Sequence, residues 1–199
     1  MSQQEFWNSK FSRDGYLYGL KPNGFIALKS KLFKKGSKVL CLGEGEGRNA
    51  IFLAKKGFDV TAIDASDIGL SKLEQRAKEE NLNIKTICID LNDWNTNEKY
   101  DVIVASYLHM YKEDRAKLFE NIEESLNPDG YFVGEFFSQN QLNFSSGGPK
   151  DKELLYLEED FKNHYVFSGA EVKEQITILD EGKGHQGEAS VIRVLLSYN

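Results

Sequence analysis

The stretch VLCLGEGEGRN (39–49) constrains the fold more than any other: an unbroken apolar run enters three alternating glycines, Gly43, Gly45 and Gly47, and then a helix-period segment. An apolar run without polar alternation suits a strand covered on both faces, as in a parallel sheet. Glycine is needed where the backbone takes unusual φ/ψ values or where a ligand must approach without a Cβ in the way. A helix beginning there offers free N–H groups. The same alternation continues. RNAIFLAKKG (48–57) reads as a helix closed by Gly57, FDVTAI (58–63) as a strand ended by Asp64, and Ser66 as the cap of a helix with Leu70, Leu73 and Ala77 inward. IKTICI (84–89), YDVIVASYL (100–108) and YFVGEFF are further strands. Before the last of these, EDRAKLFENIEESL is a helix with Ala116, Phe119, Ile122 and Leu126 inward, stopped by Pro128–Asp129–Gly130. Upstream, PNGFIALKSKLF predicts a helix burying Phe25, Ile26, Leu28, Leu32 and Phe33 and ended by Gly36. Downstream come a short helix near 156–164 and two partly alternating segments, VKEQITIL and SVIRVLLSY, an antiparallel pair at a sheet edge. The order βαβαβ calls for an α/β, doubly wound, mostly parallel seven-stranded sheet with helices on both faces and a C-terminal antiparallel hairpin, one domain over 1–199.

Composition narrows the function. At 199 residues, 40% hydrophobic and 12% aromatic, the chain carries a sizeable core. The 31 acidic residues exceed the 25 basic ones, and the net charge of −6 disfavours a partner bearing many phosphates. No apolar run reaches the ~20 residues of a membrane span, and the start MSQQEFWNSKF lacks a signal-peptide core, so a cytoplasmic protein is expected. Cys41 and Cys88 sit in apolar strands and read as buried free thiols.

The glycine spacing discriminates between ligands. A G-x-G-x-x-G dinucleotide fingerprint needs glycine at position 48, where Arg48 stands, and no Gly-Lys-Ser/Thr phosphate loop occurs. A tight turn with no ligand is the bland alternative. Asp64 follows Gly43 by 21 positions (64 − 43), where a carboxylate accepts hydrogen bonds from ribose hydroxyls. The third strand ends in Asp90–Leu91 near the same crevice. Together these features fit a nucleoside at the carboxyl ends of the strands.

VLCLGEGEGRN, with Asp64 closing the second strand and Asp90–Leu91 the third, resembles the class I S-adenosylmethionine-dependent methyltransferases over nearly the whole chain. The opening FWNSKF…GYLYGLKPNGF and the tail pieces SSGGPKD and DEGKGHQGEA are similar to the bacterial tellurite-resistance (TehB-like) group, and the opening also to thiopurine methyltransferases. The sequence departs from the commoner pattern at Cys41, where many members carry Asp, and at Glu44, where many carry Cys. The resemblance implies S-adenosylmethionine as cofactor and S-adenosylhomocysteine as product. It places Gly43 and Gly45 along the methionine part, Asp64 at the ribose, Asp90 and Leu91 around the adenine, Ser106 at the methionine end and Trp7 over the cofactor. Residues 1–35 would then form an N-terminal helical cap, with 138–153 and 180–189 as substrate-side loops.

Three histidines compete for a catalytic role. His109 follows the fourth strand and His185 lies in the Gly-rich DEGKGHQGE, so both are candidates beside an acceptor; His164 reads as a surface residue. Tyr16 and Tyr18 beside Gly19 suit either packing or an aromatic lid. The expected acceptor is a small soluble nucleophile, a chalcogen oxyanion such as tellurite or selenite, or a thiol, with no nucleic acid or membrane partner and no metal. A cofactor-binding module without turnover and, further off, a nicotinamide-dependent oxidoreductase are the alternatives. Oligomeric state is left open.

Overall fold

The computed structural model describes residues 1–162 and 171–198. In chain order the elements are α1 (Gln3–Phe11), α2 (Gly24–Lys29), β1 (Lys38–Leu42), α3 (Arg48–Lys55), β2 (Asp59–Asp64), α4 (Asp67–Glu79), β3 (Ile84–Cys88), β4 (Tyr100–Ser106), α5 (Lys112–Ser125), β5 (Leu126–Phe137), α6 (Glu158–Lys162), β6 (Glu171–Glu181) and β7 (His185–Ser197). The strands form one seven-stranded sheet in the order β3-β2-β1-β4-β5-β7-β6. β1 pairs in parallel with β2 and β4, β2 with β3, and β4 with β5, while β7 runs antiparallel to both β5 and β6. Strand order reverses between β1 and β4, and a crevice opens at such a switch point, outside the carboxyl ends of the strands.

The period-2 alternation of the central strands divides the core in two. Leu40, Leu42, Ile103 and Phe132 face a cluster built with Leu118, Phe119 and Ile122 of α5 and Phe161 of α6. Val39, Cys41, Val102, Val104 and Val133 face the other side, against Ile26 of α2, Ala50 and Leu53 of α3, and Leu70 and Leu73 of α4. Both faces are thus covered, which is why the central strands read as continuous apolar runs.

Four local expectations are corrected. The helix expected over PNGFIALKSKLF is shorter: α2 spans six residues and a 3-10 turn follows at Ser30–Leu32, leaving Leu28 and Leu32 on the surface. Leu126 opens β5 and does not close α5, and the strand runs on through Asp129, which takes φ 62° beside a register shift against β4. Cys88 is exposed, because β3 is an edge strand. Cys41 is buried and free as expected. His164 lies outside the described residues. Among those described, no helix is long and apolar enough to cross a membrane.

Candidate cofactor cleft and active site

The turn after β1 is shaped by three left-handed glycines, with φ of 60° at Gly43, 59° at Gly45 and 89° at Gly47. Gly47 is the N-cap of α3 and has no side chain to cap it. Glu44 does so instead: its Oε1 accepts from the backbone N–H groups of Asn49 and Ala50, both at 2.8 Å. Burial pushes the Glu44 carboxyl up to about 7. Asp64, at the tip of β2, ties the loop down, accepting from Gly45 N at 2.8 Å and from Ser66 N at 2.8 Å. Its burial raises that carboxyl to about 6. The space above the glycines belongs partly to the protein. A Cβ on Gly45 would lie 2.9 Å from Phe11 Cζ, and one on Gly47 would lie 2.3 Å from Leu73 Cδ1. Internal packing by itself therefore demands glycine at 45 and 47.

Beside this loop opens a cleft of ≈ 830 Å³, counted with the solvent at its mouth. Trp7, Gly43, Gly45, Asp64, Asp90, Leu91, Ser106, His109 and His185 all line it, so the residues expected at the cofactor and the two candidate histidines meet at one place, while Tyr16 stands outside it. Trp7, on α1, stacks on Phe11 at 5.6 Å and tilts over His109 at 5.4 Å. Asp90 Oδ1 accepts from Asn92 N at 3.0 Å in the turn after β3, and Leu91 is buried beside it. Ser106 Oγ accepts from Asn49 Nδ2 at 3.0 Å. His109 is half-buried, its Nε2 sealed from solvent without a partner; burial, aided by His185, lowers its pKa to about 4. His185 stands at the start of β7, fully buried, with its pKa lowered chiefly by burial.

Beside the cleft lies a polar network of which the sequence marks only the strand-end segments SYLHMY (106–111) and EFFS (135–138). Tyr107 Oη donates to Glu135 Oε1 at 2.6 Å, and Asn23 Nδ2 donates to the same oxygen at 2.7 Å. Arg193 Nε donates to Glu135 Oε2 at 2.6 Å. Arg48, met in the sequence only as a missing glycine, pairs with Glu181 at 3.0 Å. Burial alone would raise the Glu181 pKa, but His185 and Arg48 outweigh it and hold the carboxyl below its usual range. These residues come from four elements and two connecting segments and leave no spacing signature. The one available signal was a carboxylate at an otherwise inward strand position, as in GEFF. Arg115 fixes the outer wall, donating from Nη2 to the carbonyls of Met110 at 3.0 Å and Leu155 at 2.9 Å and pairing with Asp160 at 2.7 Å.

The family model for tellurite resistance protein TehB matches residues 24–137. The chain belongs to the TehB family. The "Probable S-adenosyl-L-methionine-dependent methyltransferase TehB" of Haemophilus influenzae (strain 10810) is 38% identical over 96 residues, covering 47% of this chain. That match covers 34% of the relative's own length, so the chain spans about a third of the curated TehB protein it resembles. The crystal structure of TehB from Haemophilus influenzae superposes with a TM-score of 0.75 at 24% identity, over 100% of this chain and 68% of that one. N-methyltransferase NodS from Bradyrhizobium japonicum WM9, solved in complex with S-adenosyl-l-homocysteine, gives a TM-score of 0.73 at 15% identity over 98% and 99% of the two chains. At such identities the structures speak for the fold, which is that of the class I S-adenosylmethionine-dependent methyltransferases. The TehB-family cleft fits a nucleoside. Each Asp64 oxygen holds one backbone N–H, and an ionised carboxylate has lone pairs left for hydroxyl donors.

Proposed function

We propose that this chain is an S-adenosylmethionine-dependent methyltransferase acting on a small soft or anionic nucleophile, a chalcogen oxyanion or a thiol. The observation that carries the reading is Asp64. It is a buried carboxylate with its pKa raised by burial, hydrogen-bonded to the glycine loop and lining the cleft at the carboxyl ends of the strands. Asp64 would hold the ribose hydroxyls, Asp90 and Leu91 the adenine, and Gly43, Gly45 and Ser106 the methionine end, with Trp7 above. Trp7, Phe11, Tyr18 and Gly19 of the N-terminal segment line the cleft and would cap this ligand, with His185 of the 180–189 segment beside the acceptor.

When bound, the cofactor supplies a sulfonium-activated methyl group. The chain's own residues then need mainly to orient the acceptor and exclude water, and such positioning lowers a barrier by ~7–11 kcal/mol in favourable cases. His109 and His185 line the same cleft as hydrogen-bonding groups for the acceptor. The acidic surface and the enclosed cleft favour a small molecule over a nucleic acid.

Calorimetry with S-adenosylmethionine, S-adenosylhomocysteine and NAD tests the cofactor: the first two bind and NAD does not. Asp64→Ala weakens S-adenosylhomocysteine binding by about 1–3 kcal/mol, the cost of leaving buried hydroxyls without a charged acceptor. Unchanged affinity removes Asp64 from the ribose. Incubation with tellurite, selenite and a thiol panel, read as S-adenosylhomocysteine formed, tests the acceptor. Binding without turnover on any acceptor would identify a binding module instead.

A further inference from the structure

Glu181, Arg48 and His185 meet at the cleft in a way that core packing does not require. Glu181 closes β6, His185 opens β7 and Arg48 opens α3, and all three are buried. Glu181 Oε2 lies 3.0 Å from an Arg48 Nη1 nitrogen and 3.5 Å from His185 Nδ1. All three atoms are sealed from solvent, and none has an aligned hydrogen bond to any described residue. Buried polar atoms need partners, and among the described residues these three have only each other. The carboxylate itself is anchored, since its Oε1 accepts from Asn23 Nδ2 at 3.2 Å.

The imidazole plane is equally constrained. Tyr18 lies 4.3 Å from it, Tyr107 4.5 Å and Phe137 5.1 Å, ring centre to ring centre. A Cβ on Gly147 would come within 2.6 Å of His185 Cδ2. A ring boxed on these sides keeps one freedom that matters, the choice of which nitrogen bears hydrogen. An ionised carboxylate only accepts, so the nitrogen facing Glu181 must be the donor, and Nε2 is left with its lone pair.

We propose that Glu181 is a positioning residue that holds His185 as the Nδ1–H tautomer, leaving Nε2 as the base that takes the proton of a thiol acceptor. Arg48 keeps Glu181 ionised. This rests on the methyltransferase reading above and deepens it. The acceptor sulfur forms the new S–CH3 bond as the methyl–sulfonium bond breaks, and that bond's electron pair returns to the donor sulfur. The thiol proton passes to Nε2, and the resulting imidazolium stands against the Glu181 carboxylate. The charged and titratable groups facing His185 are Tyr18 from the N-terminal segment, Arg48 from α3, Tyr107 after β4, Glu135 from β5, Glu181 from β6 and the nearby His109.

Nitrogen-15 NMR of the wild-type protein with S-adenosylhomocysteine at neutral pH reads the tautomer directly, with the His185 signals assigned from their loss in His185→Gln. A protonated Nδ1 and an unprotonated Nε2 are expected; an Nε2–H tautomer overturns the proposal. With 2-mercaptoethanol as acceptor, Glu181→Gln should lower kcat about ten-fold or more with KM for S-adenosylmethionine unchanged. The Glu181 charge raises the His185 pKa, so its removal moves the acid limb of kcat to lower pH. Glu181→Asp, which keeps the charge, should recover part of the rate. Wild-type kcat and an unshifted limb in Glu181→Gln overturn the proposal, and if that variant does not fold, the wild-type tautomer and Glu181→Asp decide it. Failure of the methyltransferase reading is separately visible as no S-adenosylhomocysteine binding by the wild type.

Discussion

Glu44 shows how one residue can serve local structure at a cost that only a ligand or a proton relieves. Its carboxylate caps α3 through two backbone N–H groups, yet burial raises its pKa from 4.5 to about 7. A carboxyl whose folded pKa lies above its unfolded value stabilises the fold fully below the unfolded pKa. That contribution is lost as pH rises through the folded one. In the ligand-free protein the window is therefore about pH 4.5 to 7, and Asp64 adds to it from 3.8 to about 6. Glu44→Gln keeps an oxygen for both N–H groups and carries no charge. At pH 8 it should be more stable than the wild type by up to roughly 3 kcal/mol, from ~1.4 kcal/mol per pKa unit, the gain vanishing near pH 4. Urea unfolding of both ligand-free proteins across that range measures it. A variant less stable at pH 8 would show that the charge is already solvated through the cleft.

Among the elements, α1 is lightly committed to the fold. Only Phe11 of its residues is buried, and its other ties are side-chain bonds such as Asn8 Nδ2 to Asp67 at 2.8 Å. Its docking thus rests chiefly on two rings, Phe11 packed over Gly45 and Trp7 tilted over His109. Phe→Ala in a closed core costs ~3–5 kcal/mol, but a helix held by few buried contacts can detach locally before the whole molecule pays that amount. Phe11→Ala should therefore leave global unfolding little changed while trypsin cuts faster at Lys10 and Arg13 and S-adenosylhomocysteine binding weakens. A large fall in global stability with unchanged cleavage would mean that α1 is integral to the core. The sequence made the strands of the central sheet legible because their residues are covered on both faces. It misjudged α2 because the spacing of Leu28 and Leu32 continues the helical period past the point where neighbouring elements cover it. It misjudged Cys88 because an apolar run does not show which strand lies at an edge. The glycine loop and Asp64 were readable since they are adjacent in chain or fixed by strand length. The pairing of Arg48 with Glu181 was not, because only the tertiary fold brings the start of α3 to the end of β6.

At the scale of the whole molecule, the sheet sets a gradient of stability from centre to edge, with the cleft built on the carboxyl ends of its most protected strands. Ile103 lies in β4 between Leu40 of β1 and Phe132 of β5, with 0% of its surface exposed. Ile178 lies on the edge strand β6 and is 78% exposed. Both are isoleucines in β-strands, so intrinsic strand preference cancels and only burial differs. Removing the Ile103 side chain beyond Cβ leaves a void that close-packed neighbours refill only in part, and Ile103→Ala should cost about 2–5 kcal/mol. Ile178→Ala should stay within about 0.5 kcal/mol of the wild type. The site is assembled above Ile103 from backbone turns anchored by Glu44 and Asp64, so ligand affinity per folded molecule should be unchanged in both variants. Urea unfolding and S-adenosylhomocysteine calorimetry on the same preparations separate the two effects. Affinity falling in parallel with stability in Ile103→Ala would show that the glycine loop depends on core packing beneath the strand ends, and not on its own hydrogen bonds.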